Sequence, residues 1–215
     1  MNRENLKTQA KSLLSGNWQW AVIFSLLTAI ITGVISALTG GIGMIVGGLI
    51  FAGYAYTFLD FTAGQRENNY FTAMFAAFTS IRFIPVFLTW LLQTIFTFLW
   101  SLLLVIPGII KALAYSQAFY IAKDLLDSGQ EVAATEAITK SRELMDGHKW
   151  EFFVLQLSFL GWALLCIFTF GIGFLWLRPY MQTTNALYYR QLAGNRFRGK
   201  PVATDVNLTN EPEMI

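Results

Sequence analysis

Polar and apolar positions alternate along this chain on a long scale. Three stretches carry no charged side chain: residues 12–59, 83–110 and 152–177. More polar segments precede them, and in these the apolar residues recur at the helical period. In the first, Leu6, Ala10, Leu13 and Leu14 share one face. The second opens with Tyr70, Phe71, Met74, Phe75 and Phe78, and the third brings Ala134, Ala137, Ile138, Ser141 and Met145 to one side. A spanning helix needs about 20 mostly apolar residues. The first uncharged run is long enough for two spans and each of the others for at least one.

Tight breaks divide the apolar stretches at Gly40-Gly41-Ile42-Gly43, Pro107-Gly108 and Gly171-Ile172-Gly173. Proline stops a helix and glycine permits the turn. Gly43, Gly108 and Gly173 stand at equal intervals of 65 residues. The pattern predicts spans over about 18–39, 44–61, 82–106, 108–125, 150–170 and 174–192. The third polar helix is expected to open at the capping-box string Ser128-Gly-Gln-Glu131 and to end at Asp146-Gly147. The expected fold class is therefore all-α: a polytopic membrane helical bundle, six transmembrane helices as three hairpins of about 65 residues, each preceded by a short amphipathic interfacial helix. Residues 1–193 form a single membrane domain, with units over about 1–65, 66–130 and 131–193, and 194–215 a disordered cytoplasmic tail. True internal duplication and the ordinary periodicity of a six-span chain with short outer turns both fit.

Composition agrees with this reading. Of 215 residues 55% are hydrophobic and 13% charged, against about a quarter charged in soluble domains. The net charge of +2 is too small to argue for nucleic acid. Its placement is more informative. Apart from Lys111 and Arg178, the cations lie in the N-terminal arm, the two long connections, the tail or the helix ends beside them. The positive-inside rule puts both termini and both connections in the cytoplasm and the breaks outside a cell membrane. Arg3, Lys7 and Lys11 precede the first apolar run as in a signal peptide, but that run is too long, so it reads as a retained helix. Cys166 lies alone in an apolar run and has no intramolecular disulfide partner. Asn207-Leu-Thr209 matches a glycosylation sequon on the cytoplasmic tail and carries no weight.

Few residues offer chemistry. Lys111 and Arg178 fall just past the second and third breaks. They read either as snorkelling cations or as a shared site for a lipid phosphate or a carboxylate. The return helices are polar, with Tyr115, Gln117 and Tyr120 on the fourth and Tyr180, Gln182, Thr183 and Asn185 on the sixth. These read as interhelical hydrogen bonding or as a polar cleft. Gly43, Gly47, Gly48 and Gly53 allow close helix packing. Trp18, His148, Lys149 and Trp150 form interfacial elbows at the starts of spans. His148, the single histidine, has Asp146 and Glu151 nearby but no nucleophile to serve and no metal-ligand partners. No phosphate loop, Rossmann fingerprint or zinc spacing is present. No cofactor, metal site or catalytic residue is expected.

Several strings carry a resemblance: Ile106-Pro-Gly-Ile-Ile-Lys111, Tyr115-Ser-Gln-Ala-Phe-Tyr-Ile121, Glu136-Ala-Ile, Ser141-Arg-Glu-Leu-Met-Asp-Gly-His-Lys149, Leu157-Ser-Phe-Leu-Gly-Trp162, and Gly171-Ile-Gly173 through Arg178-Pro-Tyr180. Near the N-terminus Leu6-Lys7, Ala10-Lys11 and Gly16-Asn-Trp18 join them. With these the chain resembles a family of bacterial integral-membrane proteins catalogued as domain of unknown function 975. The resemblance implies a multi-spanning cytoplasmic-membrane protein and brings no reaction. Two readings follow. One is a non-enzymatic structural or accessory factor acting through membrane lipids or a membrane-protein partner by way of its in-plane helices. The other is a transporter or lipid-handling protein with a polar cleft between the fourth and sixth helices.

Overall fold

A computed structural model describes residues 3–39, 41–103, 105–130, 132, 133 and 135–198. Gly40 of the first break, Glu131 and Ala134 of the third polar segment, and the tail from residue 199 lie outside them. Among the described residues all regular structure is helical. The elements are α1 (Arg3–Leu14), α2 (Trp18–Thr39), α3 (Gly41–Thr62), α4 (Tyr70–Met74), a 3-10 turn (Ala76–Phe78), α5 (Ser80–Leu103), α6 (Val105–Tyr115), α7 (Ala118–Asp127), α8 (Glu136–Leu144), α9 (Lys149–Phe168) and α10 (Phe174–Ala193).

Three antiparallel helix pairs form the body. Gly43 meets Ser36, Gly47 meets Thr32 and Tyr54 meets Ser25, which sets the register of α2 against α3. Lys111 lies over Trp100 and Tyr115 beside Phe96, which sets α5 against α6. Gly173 meets Cys166, Tyr180 meets Phe159 and Tyr188 meets Phe152, which sets α9 against α10. The short helices close a ring around these pairs. α4 packs on α2 and α3, α8 on α5, α6 and α7, and α1 on α10. Each thus sits on the pair before it in sequence, except α1, which reaches the last pair.

Among the described residues four stretches are long and apolar enough to cross a membrane: Trp18–Thr39, Ile45–Thr62, Arg82–Trp100 and Lys149–Phe168. The buried share of these windows is 61% in α3 against 17%, 11% and 22% in α2, α5 and α9. α3 is therefore central, and the other three turn apolar faces outward. Val34, Leu38, Phe98, Leu164 and Phe168 are all exposed, far more apolar surface than a soluble monomer shows. Two of the six expected spans do not reach span length and hydropathy. The return helix expected over 108–125 is interrupted at Ser116-Gln117. α10 carries Arg178, Arg190 and a run of polar side chains.

Other boundaries also differ from expectation. Pro107 and Gly108, expected to form the second break, fall instead within α6. Ser128 does not open a helix; it caps the end of α7. Gly129, at φ +74°, then lets its own N–H reach Leu126 and that of Gln130 reach Leu125, the paired bonds of a left-handed helix stop. Gly64 repeats this stop at the end of α3, with its N–H on Phe61 and that of Gln65 on Asp60. Gly64, Gly129 and Gly194 all have positive φ and stand at intervals of 65 residues.

The apolar faces of α1 and α8 are covered by protein, whereas Phe71 and Phe75 of the second polar segment are exposed. Leu6, Ala10 and Leu14 of α1 are fully buried, and so are Ala137 and Ser141 of α8. Leu6 joins Met145, Phe152, Leu155 and Phe159 in one cluster. This corrects the expectation that α1 and α8 lay an apolar face on lipid: a helix this short gains more by filling a groove between longer helices than by lying alone at an interface.

Candidate functional site

The interruption between α6 and α7 leaves backbone groups without helical partners, and these must be satisfied locally. α8 does so with one hydroxyl. Ser141 Oγ donates to the Ala114 carbonyl at 2.8 Å and accepts from the Gln117 N–H at 3.2 Å. The break is thereby held open beside a chamber of about 270 Å³.

Five carboxamides line this chamber: Gln93 of α5, Gln117 at the break, Gln156 of α9, and Gln182 and Asn185 of α10. Gln182 Nε2 donates to the Tyr120 hydroxyl at 2.7 Å, and Gln156 Nε2 to Asn185 Oδ1 at 2.7 Å. Gln117 Nε2 donates to Ser116 Oγ at 2.9 Å. Gln93 Oε1 and Gln117 Oε1 are buried and have no hydrogen-bond partner. An orphan buried acceptor of this kind costs about 1–3 kcal/mol. No charged residue is among the chamber's lining. Ala55, Tyr120 and Asn185, at intervals of 65 residues, all face it. Residues of α3, α5, α6, α9 and α10 all line it, so the chamber lies where the three helix pairs meet.

A larger crevice of about 650 Å³ adjoins it, sharing Phe51, Gln182 and Asn185. Thr28, Thr32 and Ser36 of α2 line one wall and Arg178 another. Toward the C-terminal ends of α7 and α10, the Tyr120 and Tyr189 rings stack at 5.2 Å. Beyond them lies a charge network. Buried Asp124 accepts from Tyr189 at 2.8 Å and from Arg190 at 2.7 Å. Lys123 bridges Asp60 and Asp127 at 2.6 Å each, and Arg82 also pairs with Asp127.

Of the polar-cleft residues named from sequence, the chamber gathers Gln117, Tyr120, Gln182 and Asn185. The other three go elsewhere. Tyr115 packs with Ala114, Ala118 and Ile138. Thr183 Oγ1 donates to the Pro179 carbonyl at 2.8 Å, and Tyr180 meets Phe159 edge-on at 5.5 Å. Lys111 and Arg178 do not share a site. Lys111 Nζ lies 4.6 Å over the Trp100 ring, while Arg178 lines the crevice, because α6 packs on α5, α8 and α9 and α10 on α1, α2, α3 and α9. At the elbows, His148 Nδ1 is 3.3 Å from Glu151, Lys149 is 3.3 Å from Asp146, Trp150 is exposed and Trp18 is half-buried. A Cβ at Gly43 would stand 2.6 Å from Ser36 Cα, and one at Gly47 3.1 Å from Thr32. At Gly48 it would strike the Trp90 indole, and at Gly53 the Met74 carbonyl. Among the described residues no three His, Cys, Asp or Glu side chains are grouped to hold a metal.

The family model described as protein of unknown function (DUF975) matches residues 1–115 and 102–196. The chain belongs to this family. No curated protein and no solved structure matches it. The DUF975 description names no reaction, so the roles of its residues rest on geometry. Sequence reasoning does not single out Gln93 and Gln156 of this DUF975 chain, although each is a lone carboxamide in an otherwise uncharged apolar stretch. Nor does it find the burial of Asp124, which depends on α10 lying beside α7, or of Lys123, which depends on α3.

Proposed function

We propose that this DUF975 protein is a non-catalytic, multi-pass protein of the cell membrane that binds a small uncharged polar solute in its carboxamide-lined chamber. The single observation that carries this is a cavity lined by carboxamides from all three helix pairs, two of which, Gln93 and Gln117, carry buried oxygens without a hydrogen-bond partner. A ligand with N–H or O–H donors removes their cost when these amides turn toward the chamber. The lack of charge in the lining favours a neutral solute. The interrupted α6–α7 segment supports a transport role, since broken helices and repeat interfaces are where secondary transporters place their sites. Six crossings with both termini cytoplasmic fit the cation placement, with α7 and the polar part of α10 buried among the other helices. The accessory reading loses its main support, because the apolar faces of α1 and α8 are already covered.

The test is to purify the full chain in mild detergent, extract it and identify small molecules by mass spectrometry. A neutral hydrogen-bond donor should be present in the native protein and absent from Gln93→Leu/Gln117→Leu. That variant should melt no lower than the native protein, since two orphan acceptors are removed. Equal recovery from both proteins, or recovery of nothing from the native one, overturns the chamber as a solute site.

A further inference from the structure

α1 is amphipathic, and its polar face is not turned to water alone. Lys7 and Lys11 point into a crevice of about 680 Å³ between α1 and the α9–α10 pair. Lys7 Nζ lies 4.6 Å over the Phe159 ring and 3.5 Å from the Ser158 carbonyl. Lys11 Nζ lies 5.8 Å from the Tyr180 ring. Among the described residues neither ammonium has a carboxylate within ion-pair distance, although Glu4 also lines the crevice. Burial, with Lys11 and Arg3 nearby, pulls the Lys7 ammonium below its ordinary pKa, and the crevice lining sets two ammoniums, Lys7 and Lys11, against one carboxylate, Glu4.

The opposite wall is of another character. Trp162 and Leu165 are each 57% exposed and Trp176 49%. They continue into the outward face of α9, where Ile167 and Phe168 are also exposed. The crevice therefore has two cations on its α1 wall and an apolar, indole-edged wall opposite. A soluble anion would satisfy the first and leave the second wet. An amphiphile satisfies both.

We propose that this crevice holds one anionic phospholipid, its phosphate between Lys7 and Lys11 and an acyl chain against Trp162, Leu165 and Trp176. The site joins the N-terminal helix to the last helix pair, so the lipid staples the closure of the ring. The proposal rests on the membrane reading and not on the carboxamide-lined chamber.

The full chain is purified, stripped with excess detergent and incubated with palmitoyl-oleoyl phosphatidylglycerol, and retained lipid is counted by native mass spectrometry. One molecule is expected to stay on the native protein. Lys7→Gln/Lys11→Gln should lower retention roughly tenfold, Lys7→Arg/Lys11→Arg should restore it, and Lys140→Gln/Arg142→Gln on α8 should leave it unchanged. Should the glutamine pair fail to fold, the exposed Trp162→Ala serves instead, with about a threefold loss. Excess inorganic phosphate should not displace the lipid. Undiminished retention in a folded glutamine pair or in Trp162→Ala, an equal loss in the α8 control, or displacement by inorganic phosphate each overturns the proposal. Failure here leaves the extraction experiment on the chamber unaffected.

Discussion

Tyr189 donates a 2.8 Å hydrogen bond to Asp124, and the two residues are 65 positions apart in the chain. The bond joins α7 to α10 beyond the stacked Tyr120 and Tyr189 rings, at one end of the chamber. Asp124 is buried and also pairs with Arg190. Asp124→Ala removes the acceptor of both and strands a largely buried guanidinium, at a cost of about 3–5 kcal/mol. Tyr189→Phe loses one hydrogen bond to a charged group, about 1.5–3 kcal/mol. Denaturant unfolding in micelles should rank the two in that order; equal midpoints would show that the network contributes little.

Ser141 serves two backbone groups at the α6–α7 interruption. Ser141→Ala leaves the Ala114 carbonyl and the Gln117 amide buried without that partner, and a loss of about 2–4 kcal/mol is expected if each costs about 1–3 kcal/mol and the site relaxes in part. Ser141→Thr keeps the hydroxyl and should lose less. Amide exchange at Gln117 reads the effect directly and should rise in the alanine variant alone.

The helix glycines divide by what surrounds them. Gly53→Ala drives a methyl into the Met74 carbonyl, a backbone atom that cannot rotate away, and should destabilise by about 1–3 kcal/mol. Gly48→Ala meets only the Trp90 side chain, so Gly48→Ala/Trp90→Leu should recover part of its loss. At Gly161 nothing lies within 4 Å of the place a methyl carbon would take, and Gly161→Ala should raise stability by up to about 1 kcal/mol through helix propensity. Thermal melts of the three single variants test the ordering.

Glu136 is held below the usual carboxylate range, first by the hydrogen bond from Lys140 and then by the Ala133 N–H, against some desolvation. The folded pKa is depressed. Its contribution is therefore present above the ordinary Glu range and is lost as pH falls through the folded pKa. The pair is partly exposed, so only about a few tenths of a kcal/mol are expected. The gap in melting temperature between the native protein and Glu136→Gln should be open at neutral pH and closed in acid below the Glu range.

Topology is testable by accessibility. In a Cys166→Ser background, single cysteines at Leu38, Ile109 and Phe170 should react with a membrane-impermeant maleimide added outside intact cells. All three positions are exposed at the ends of the helix pairs. Protection of any one until the cells are opened would contradict the six-crossing arrangement.

The long-range layout is legible from the pattern alone. The bounds of α2 match the expected 18–39, and those of α9 and α10 fall within two residues of expectation, because long apolar runs between charged ends leave little freedom. Local competition is less legible. The string from Ser128 fits a helix start, but the glycine after it stops α7 first. The interruption at Ser116-Gln117 has no proline or glycine to announce it and depends on a hydroxyl from α8. Four of the seven cleft residues converge because return helices must carry their polar faces inward. Lys111 departs from expectation because a cation near a helix start has an aromatic ring on its own neighbour within reach. The glycines that end the return helices, at 64, 129 and 194, share the interval of those that begin them and are readable in the sequence.

The docking of α1 on α10 brings the two ends of the described chain together: Gln191 Nε2 lies 3.3 Å from Gln9 Oε1. Because α4 and α8 rest in the same way on the pair before them, any of the three pairs can lead the chain without changing their order around the ring. Circular permutants that fuse the present ends and open instead at 65–69 or at the connection after Gln130 keep every helix contact described above.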